Sequence, residues 1–328
     1  MKIVFLFFLL GLAGAARAQD FSKVDAWLEA NTRKMGGRAV LMVEKDGKIV
    51  YSRAVNVGEE WRQRIASSSK WLSAALVMSF VDEGKLRLDD TVGKYLPILS
   101  AYGKGNITVR QCLSHLTGIQ EPPLRESLAG MRGIRTMDEA IAKIAEMPME
   151  GAPGTVFHYS NAGLQIAGAI LEKISGQSFG QLFLTRIATP LGMTNTDFGR
   201  GPVALPAGGA SSTAEDYMHF LEMIRNKGVY NGVRILSEHS VEEMEKNRIG
   251  PEVRIAYSPA GAAMGQVGYG YGEWVIGDAV SSPGLFGSLP WVNNTRGYCA
   301  FLMVFCLENQ GKQQRDVELM LLVNEALQ

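Results

Sequence analysis

A chain of 328 residues is long enough to bury a substantial core, and its 33 Lys and Arg balance 33 Asp and Glu. That neutrality excludes the basic field of a polyanion binder, so no nucleic-acid partner is expected. Three cysteines without ligand spacing and four histidines without an i, i+4 pair exclude a disulfide scaffold and a zinc site. No metal and no cofactor is expected.

In chain order, Met1 to Ala18 shows a lysine, an apolar run from Ile3 to about Leu12, and Ala16-Arg17-Ala18. This is the pattern of a secretory signal peptide with a small-x-small cleavage site. It predicts an exported protein, periplasmic or secreted, with no stable membrane insertion after cleavage, and a single domain over residues 19–328. Phe21, Val24, Trp27 and Leu28 mark a first helix. Residues 39–44 and 49–55 are extended runs flanking Lys45-Asp46-Gly47-Lys48, which predicts a hairpin. Next comes Ile65-Ala66-Ser67-Ser68-Ser69-Lys70-Trp71, opening a helix in which Trp71, Leu72, Ala74, Ala75, Met78 and Val81 recur at helical spacing before Gly84.

The middle of the chain reads as helices and loops, with a capping box at Thr108 and Gln111 and amphipathic helices over residues 164–174 and 213–225. Strand signals return at 269–276, 287–292 and 298–307, followed by a closing helix over 313–327. The fold class is therefore α/β in the α+β sense, with one antiparallel sheet drawn from both chain ends and flanked by the terminal helices. A sheet lobe of about residues 19–66 and 262–328 would carry an inserted all-helical lobe of about 67–261. A cleft between lobes is the default site.

Chemistry concentrates at Ser67 and Lys70. Three residues apart, they lie one helical turn from each other on the same face, so the amine can take the hydroxyl proton. The helix amino terminus also favours an oxyanion. Ser-x-x-Lys alone is equally a helix cap. Two further stretches stand out: Tyr159 and Asn161, two apart after a turn, and Ser282-Pro283-Gly284 leading into the penultimate strand. A competing Gly-x-Ser-x-Gly pattern at Gly176-Gln177-Ser178-Phe179-Gly180, with Asp216 and His239 downstream, lacks the preceding strand that a nucleophile elbow needs. Ser178 is read as a turn serine.

Ser67-x-x-Lys70 followed by Tyr159-x-Asn161 resembles the serine β-lactamase and penicillin-binding DD-peptidase superfamily, in particular its class C-like branch, which also contains esterases. Glu83-Gly84-Lys85-Leu86, His115-Leu116-Thr117-Gly118-Ile119, Pro190-Leu191-Gly192-Met193 and Ser212-Thr213-Ala214-Glu215-Asp216 are similar to further segments of that family, in its order. The resemblance implies a β-lactamase-like fold with Ser67 as nucleophile. It implies proton transfers shared by Lys70 and Tyr159, with the base left open between them, and Asn161 as donor to a substrate amide or to Lys70. An oxyanion hole would use the amides of Ser67 and Leu285, with Ser282 and Gly284 at the substrate edge; Gly284 would be small so that substrate can pass. His115 is given a structural role.

One departure stands out. Ser282-Pro283-Gly284 occupies the place where the family carries Lys-Thr-Gly, so the cation that would bind a substrate carboxylate is missing unless an arginine from elsewhere, for instance Arg254 or Arg296, supplies it. The expectation is a serine hydrolase forming an acyl-enzyme on Ser67, with a small-molecule ester, amide or β-lactam-like substrate. Carboxylic esters are favoured. A β-lactamase or D-alanyl-D-alanine carboxypeptidase is the alternative, and a catalytically idle binding protein on the same fold is a third.

Overall fold

The hairpin forms because Asp46 and Gly47 both take positive φ, 55° and 76°, the backbone twist that joins neighbouring strands through two residues. It connects β1 (Ala39–Lys45) to β2 (Lys48–Val55). On its other side β1 pairs with β7 (Tyr298–Val304), Ala39 opposite Val304 and Lys45 opposite Tyr298. The sheet continues through β6 (Leu289–Asn293), β5 (Ala279–Ser281), β4 (Trp274–Ile276) and β3 (Gly268–Tyr269). Its order is β2-β1-β7-β6-β5-β4-β3, antiparallel throughout. Both chain ends thus build one sheet. The computed structural model describes residues 19–130, 132–261, 267–307 and 310–328, so the leader expected over residues 1–18 lies outside the described residues.

Side chains alternate between the two faces of each strand, and here both faces are covered. β1 sends Val40 and Met42 one way and Ala39, Leu41 and Val43 the other. β7 does the same with Cys299, Phe301 and Met303 against Tyr298, Ala300 and Leu302. The outer face receives α1 (Ser22–Asn31) through Val24, Trp27 and Leu28, and the closing helix α5 (Lys312–Ala326) through Leu319 and Val323. The inner face receives α4 (Ala214–Arg225), whose Tyr217 stacks on Phe301.

Deeper in the same core runs α2 (Ser69–Asp82), with 12 of its 14 residues buried. A helix apolar on all sides must be surrounded, and α3 (Ala162–Ser175) lies against it. The capping box forms, with Gln111 N donating to Thr108 Oγ1 and Thr108 N to Gln111 Oε1.

Two local expectations are revised. The run 269–276 is broken: Gly270 N bonds Glu273 O at 2.9 Å, so Tyr269 and Trp274 face each other across a turn. Gly272 in that turn has φ 81°, and a Cβ there would lie 2.6 Å from Lys70 O. The middle of the chain, read as helix and loop, also carries short ladders: Gln63–Arg64 with Ser211–Ser212, Val156–His158 parallel to Arg254–Tyr257, and Val229–Tyr230 with Val233–Arg234. Segments of two to four residues are too short to show a two-residue period in sequence.

The outer layer is pinned by a polar chain, Trp291 Nε1 to Tyr298 Oη at 3.0 Å and Tyr298 Oη to Asn324 Oδ1 at 2.8 Å. Tyr298→Phe leaves the indole N–H of fully buried Trp291 without an acceptor. Urea denaturation should show a loss of about 1–3 kcal/mol.

Candidate active site

Ser67 sits in the single 3-10 turn Ala66–Ser68 that runs directly into α2. Ala66 has φ 44°, a left-handed conformation that alanine resists, so neighbours must hold it. Hydroxyl groups supply the restraint. Ser288 Oγ donates to Ile65 O at 3.0 Å and lies 2.9 Å from Ser68 Oγ, while Tyr217 Oη donates to Ser68 O at 2.7 Å. Ala210 N donates to Ser69 Oγ at 3.0 Å. Ser282 Oγ bridges Ser67 O at 3.2 Å and Gly272 O at 2.9 Å.

Lys70 is wholly buried, and its Nζ reaches Ser67 Oγ at 3.3 Å, Asn161 Oδ1 at 3.2 Å and Ala207 O at 2.8 Å. Burial disfavours the ammonium and brings its pKa down to about 7, against a smaller upward pull from Glu121. A neutral amine has two N–H donors and one lone pair. Two of the three neighbours, Asn161 Oδ1 and Ala207 O, can only accept. They use both donors, and the lone pair is left for the Ser67 hydroxyl.

Tyr159 follows the strand Val156–His158, and its amide donates to Tyr257 O at 3.0 Å. Its ring stacks on Trp274 with centroids 5.5 Å apart and lies 4.5 Å from His115. Lys70 Nζ meets the ring face, 4.9 Å from the centroid, while the phenol interacts with Ser67. Burial pushes the phenol pKa up, with the Ser67 hydroxyl opposing, so Tyr159 is held protonated. His115 is buried behind this ring. Its Nδ1 accepts from Ser160 N at 3.3 Å, which leaves Nε2 to donate to Tyr269 Oη at 3.0 Å. Burial, with Lys70 nearby, keeps His115 neutral, as a wall of the site.

Of the two roles expected of Asn161, donor to a substrate amide or to Lys70, the second is reversed: its Oδ1 accepts from the lysine. Its Nδ2 instead donates to Glu121 Oε1 at 3.2 Å. Glu121, buried and outside every sequence motif, also accepts the amides of Asn161 and Ala162 and the hydroxyl of Ser127. Forty residues separate it from the helix that it caps, so no local spacing announces it.

Around the missing third motif, Ser282 is buried and its hydroxyl is committed to main-chain oxygens. At Gly284 a Cβ would strike Ile65 O and Ser288 Oγ, so the turn that carries Ser67 itself demands glycine there. Leu285 is carried outward in the turn that Gly287 N closes on Gly284 O, with 40% of its surface exposed. The two arginines that could replace the cation have other places. Arg254 Nη2 donates to Glu150 O at 2.9 Å, and Arg296 lies in the hairpin between β6 and β7. Arg64 stacks over Phe286, 5.4 Å from the centroid.

Ser178 does not join this constellation. It caps the helix Phe179–Phe183 by accepting from Gln181 N, and it borders a cavity of about 370 Å³ lined by Thr136, Glu172 and Lys173. Asp216 is taken by Asn195 N and Thr196 Oγ1. Among the described residues no group of three or more His, Cys, Asp or Glu could hold a metal ion, and no helix is long and apolar enough to cross a membrane.

Comparison with known proteins follows the same lines. Protein Rv1367c of Mycobacterium tuberculosis (strain ATCC 25618 / H37Rv) is 28% identical over 277 residues, covering 68% of this chain and 69% of its own. A Bacteroides dorei DSM 17855 protein, assigned provisionally as a β-lactamase, superposes with a TM-score of 0.83 at 28% identity over 94% of this chain and 99% of its own. EstCE1, a hydrolase with promiscuous acyltransferase activity, shares the fold with a TM-score of 0.74 at 20% identity, covering 93% of this chain and 100% of its own. Residues 28–325 match the Beta-lactamase family, and the chain belongs to it.

Proposed function

We propose that this protein is an exported serine hydrolase, a single catalytic domain that forms an acyl-enzyme on Ser67 and favours uncharged carboxylic esters. The observation that carries this reading is the buried Lys70 amine, whose two donors meet carbonyl oxygens so that its lone pair is left for Ser67 Oγ. Lys70 takes the hydroxyl proton as Oγ attacks the carbonyl carbon. Tyr159, protonated and facing Ser67, passes a proton to the departing alkoxide, and water then releases the acyl group by the same route in reverse. The oxyanion is received by the amides of Ser67, at the start of the helix, and of Leu285.

Preference for uncharged substrates rests on the third motif, where a buried serine stands instead of a cation. The rim adds apolar surface from exposed Tyr257 and Leu285. EstCE1, a hydrolase with promiscuous acyltransferase activity, supports acyl-transfer chemistry on this fold.

Three measurements test the reading. Ser67→Ala should abolish labelling by an activated phosphonate, while Ser178→Ala should stay within about twofold of the natural protein; labelling that persists in the first variant contradicts the assignment. Because the base works only when neutral, kcat/KM should climb as pH rises through about 7, where Lys70 loses its proton. Lys70→Arg, which cannot lose a proton at these pH values, should remove both the limb and the activity. Finally, kcat/KM for a neutral aryl ester should exceed that for a chromogenic cephalosporin or a D-alanyl-D-alanine peptide by about tenfold or more, the value of one charge-assisted hydrogen bond.

A further inference from the structure

We infer that Glu121 is a positioning residue that holds the Asn161 amide with its oxygen toward Lys70, so that the lysine lone pair is kept for Ser67. This rests on the acyl-enzyme reading above and assigns the direction of its proton relay to a residue outside the sequence motifs.

Asn161 carries an acceptor and a donor on one short side chain, and either could face Lys70. The choice is made on the far side. Glu121 is an acceptor there, and Asn161 Nδ2 lies 3.2 Å from its Oε1. Turning the amide over would set Oδ1 against the carboxylate and present Nδ2–H to Lys70, where it would occupy the lone pair that Ser67 needs. Both ends of the reversed arrangement are unfavourable.

Glu121 is itself fixed. It is buried, and it accepts from the Asn161 amide, the Asn161 side chain, the Ala162 amide and the Ser127 hydroxyl. Four donors match the roughly four lone-pair sites of a carboxylate. Nothing remains with which to bind a water or accept a substrate proton, so Glu121 acts through Asn161 and not as a base. Its charge has favourable partners in the first amides of α3, a 14-residue helix whose N-cap Asn161 makes no side-chain cap of its own.

The carboxylate also reaches Lys70 through space. The ionisable groups that face Lys70 are Tyr159, which stays protonated, His115, which stays neutral, and Glu121. Glu121 is the group whose charge favours the ammonium, so its removal should lower the lysine pKa further and carry the acid limb of the rate profile to lower pH.

The test uses Glu121→Gln and Glu121→Asp, each alone and with Asn161→Ala, reading kcat, KM, phosphonate labelling of Ser67 and the pH profile. Glu121→Gln can present its amide in either sense, so labelling and kcat should fall by about 10- to 100-fold while KM changes by less than about threefold. Its acid limb should move down in pH. Glu121→Asp keeps the charge and should recover part of the rate with the limb near its original place. In the Asn161→Ala background, Glu121→Gln should add less than about a twofold loss, because the residue through which it acts is gone. Unchanged labelling in Glu121→Gln, or an equal loss with and without Asn161, overturns the inference. If Glu121→Gln does not fold, Glu121→Asp decides alone: labelling equal to the natural protein overturns it, and a partial loss that vanishes with Asn161→Ala supports it. Failure of the natural protein to label at Ser67 would instead count against the acyl-enzyme reading.

Discussion

A single amine sealed from water sets the conditions for everything around it. An ammonium buried without partners is costly, and a lysine at this depth answers by giving up its proton near neutrality, with Ala207 O and Asn161 Oδ1 holding what donors remain. The core must be deep enough to strip water from Lys70 yet must end at Ser67, one turn earlier, where a substrate can enter. α2 is buried from Ser69 to Phe80, and Ser67, only partly buried, lies in the turn just before it, which meets both demands. Small residues make it possible, since Ser73, Ala74 and Ala75 let neighbouring segments approach; Ser73 Oγ donates directly to Pro206 O.

The turn that carries Ser67 is restrained from both sides by hydroxyl groups bonded mainly to main-chain oxygens. Ser282 and Ser288 approach from the sheet, Tyr217 from α4, and the 206–210 segment meets Ser69 and Ser73 on the remaining side. Each such bond is worth only about 1 kcal/mol, but together they over-determine a turn that contains an alanine at positive φ. The aromatic wall formed by His115, Tyr159, Tyr269 and Trp274 does the corresponding work for the phenol, fixing its ring without using its hydroxyl.

Local chemistry is what the sequence displayed well. The Asp46-Gly47 hairpin, the Thr108 box, the apolar period of α2 and α3, and the adjacency of Ser67 and Lys70 depend on residues within about four positions of each other, and all were legible. Tyr159 and Asn161 became legible through their order in the chain relative to Ser67. Glu121 did not, because it acts on a helix forty residues away from an irregular loop. The contacts that Ser282 and Gly284 make were not legible for a related reason: their partners are the carbonyls of Ser67 and Ile65, more than two hundred residues earlier. The break in the run 269–276 is also tertiary, since Gly272 turns where the backbone of Lys70 passes.

The antiparallel join between β1 and β7 ties the beginning of the described chain to its end. Loops of that length close slowly, and a fold dominated by such pairings has a high contact order. A nascent chain can therefore form α2 and place Lys70 one turn from Ser67 long before anything can hold the turn. The restraining hydroxyls at 282 and 288 and the strands that carry them are synthesised after it. A fully restrained Ser67 turn is thus a property of the folded whole, with the last strands acting as the timer that separates synthesis of the turn from its completion.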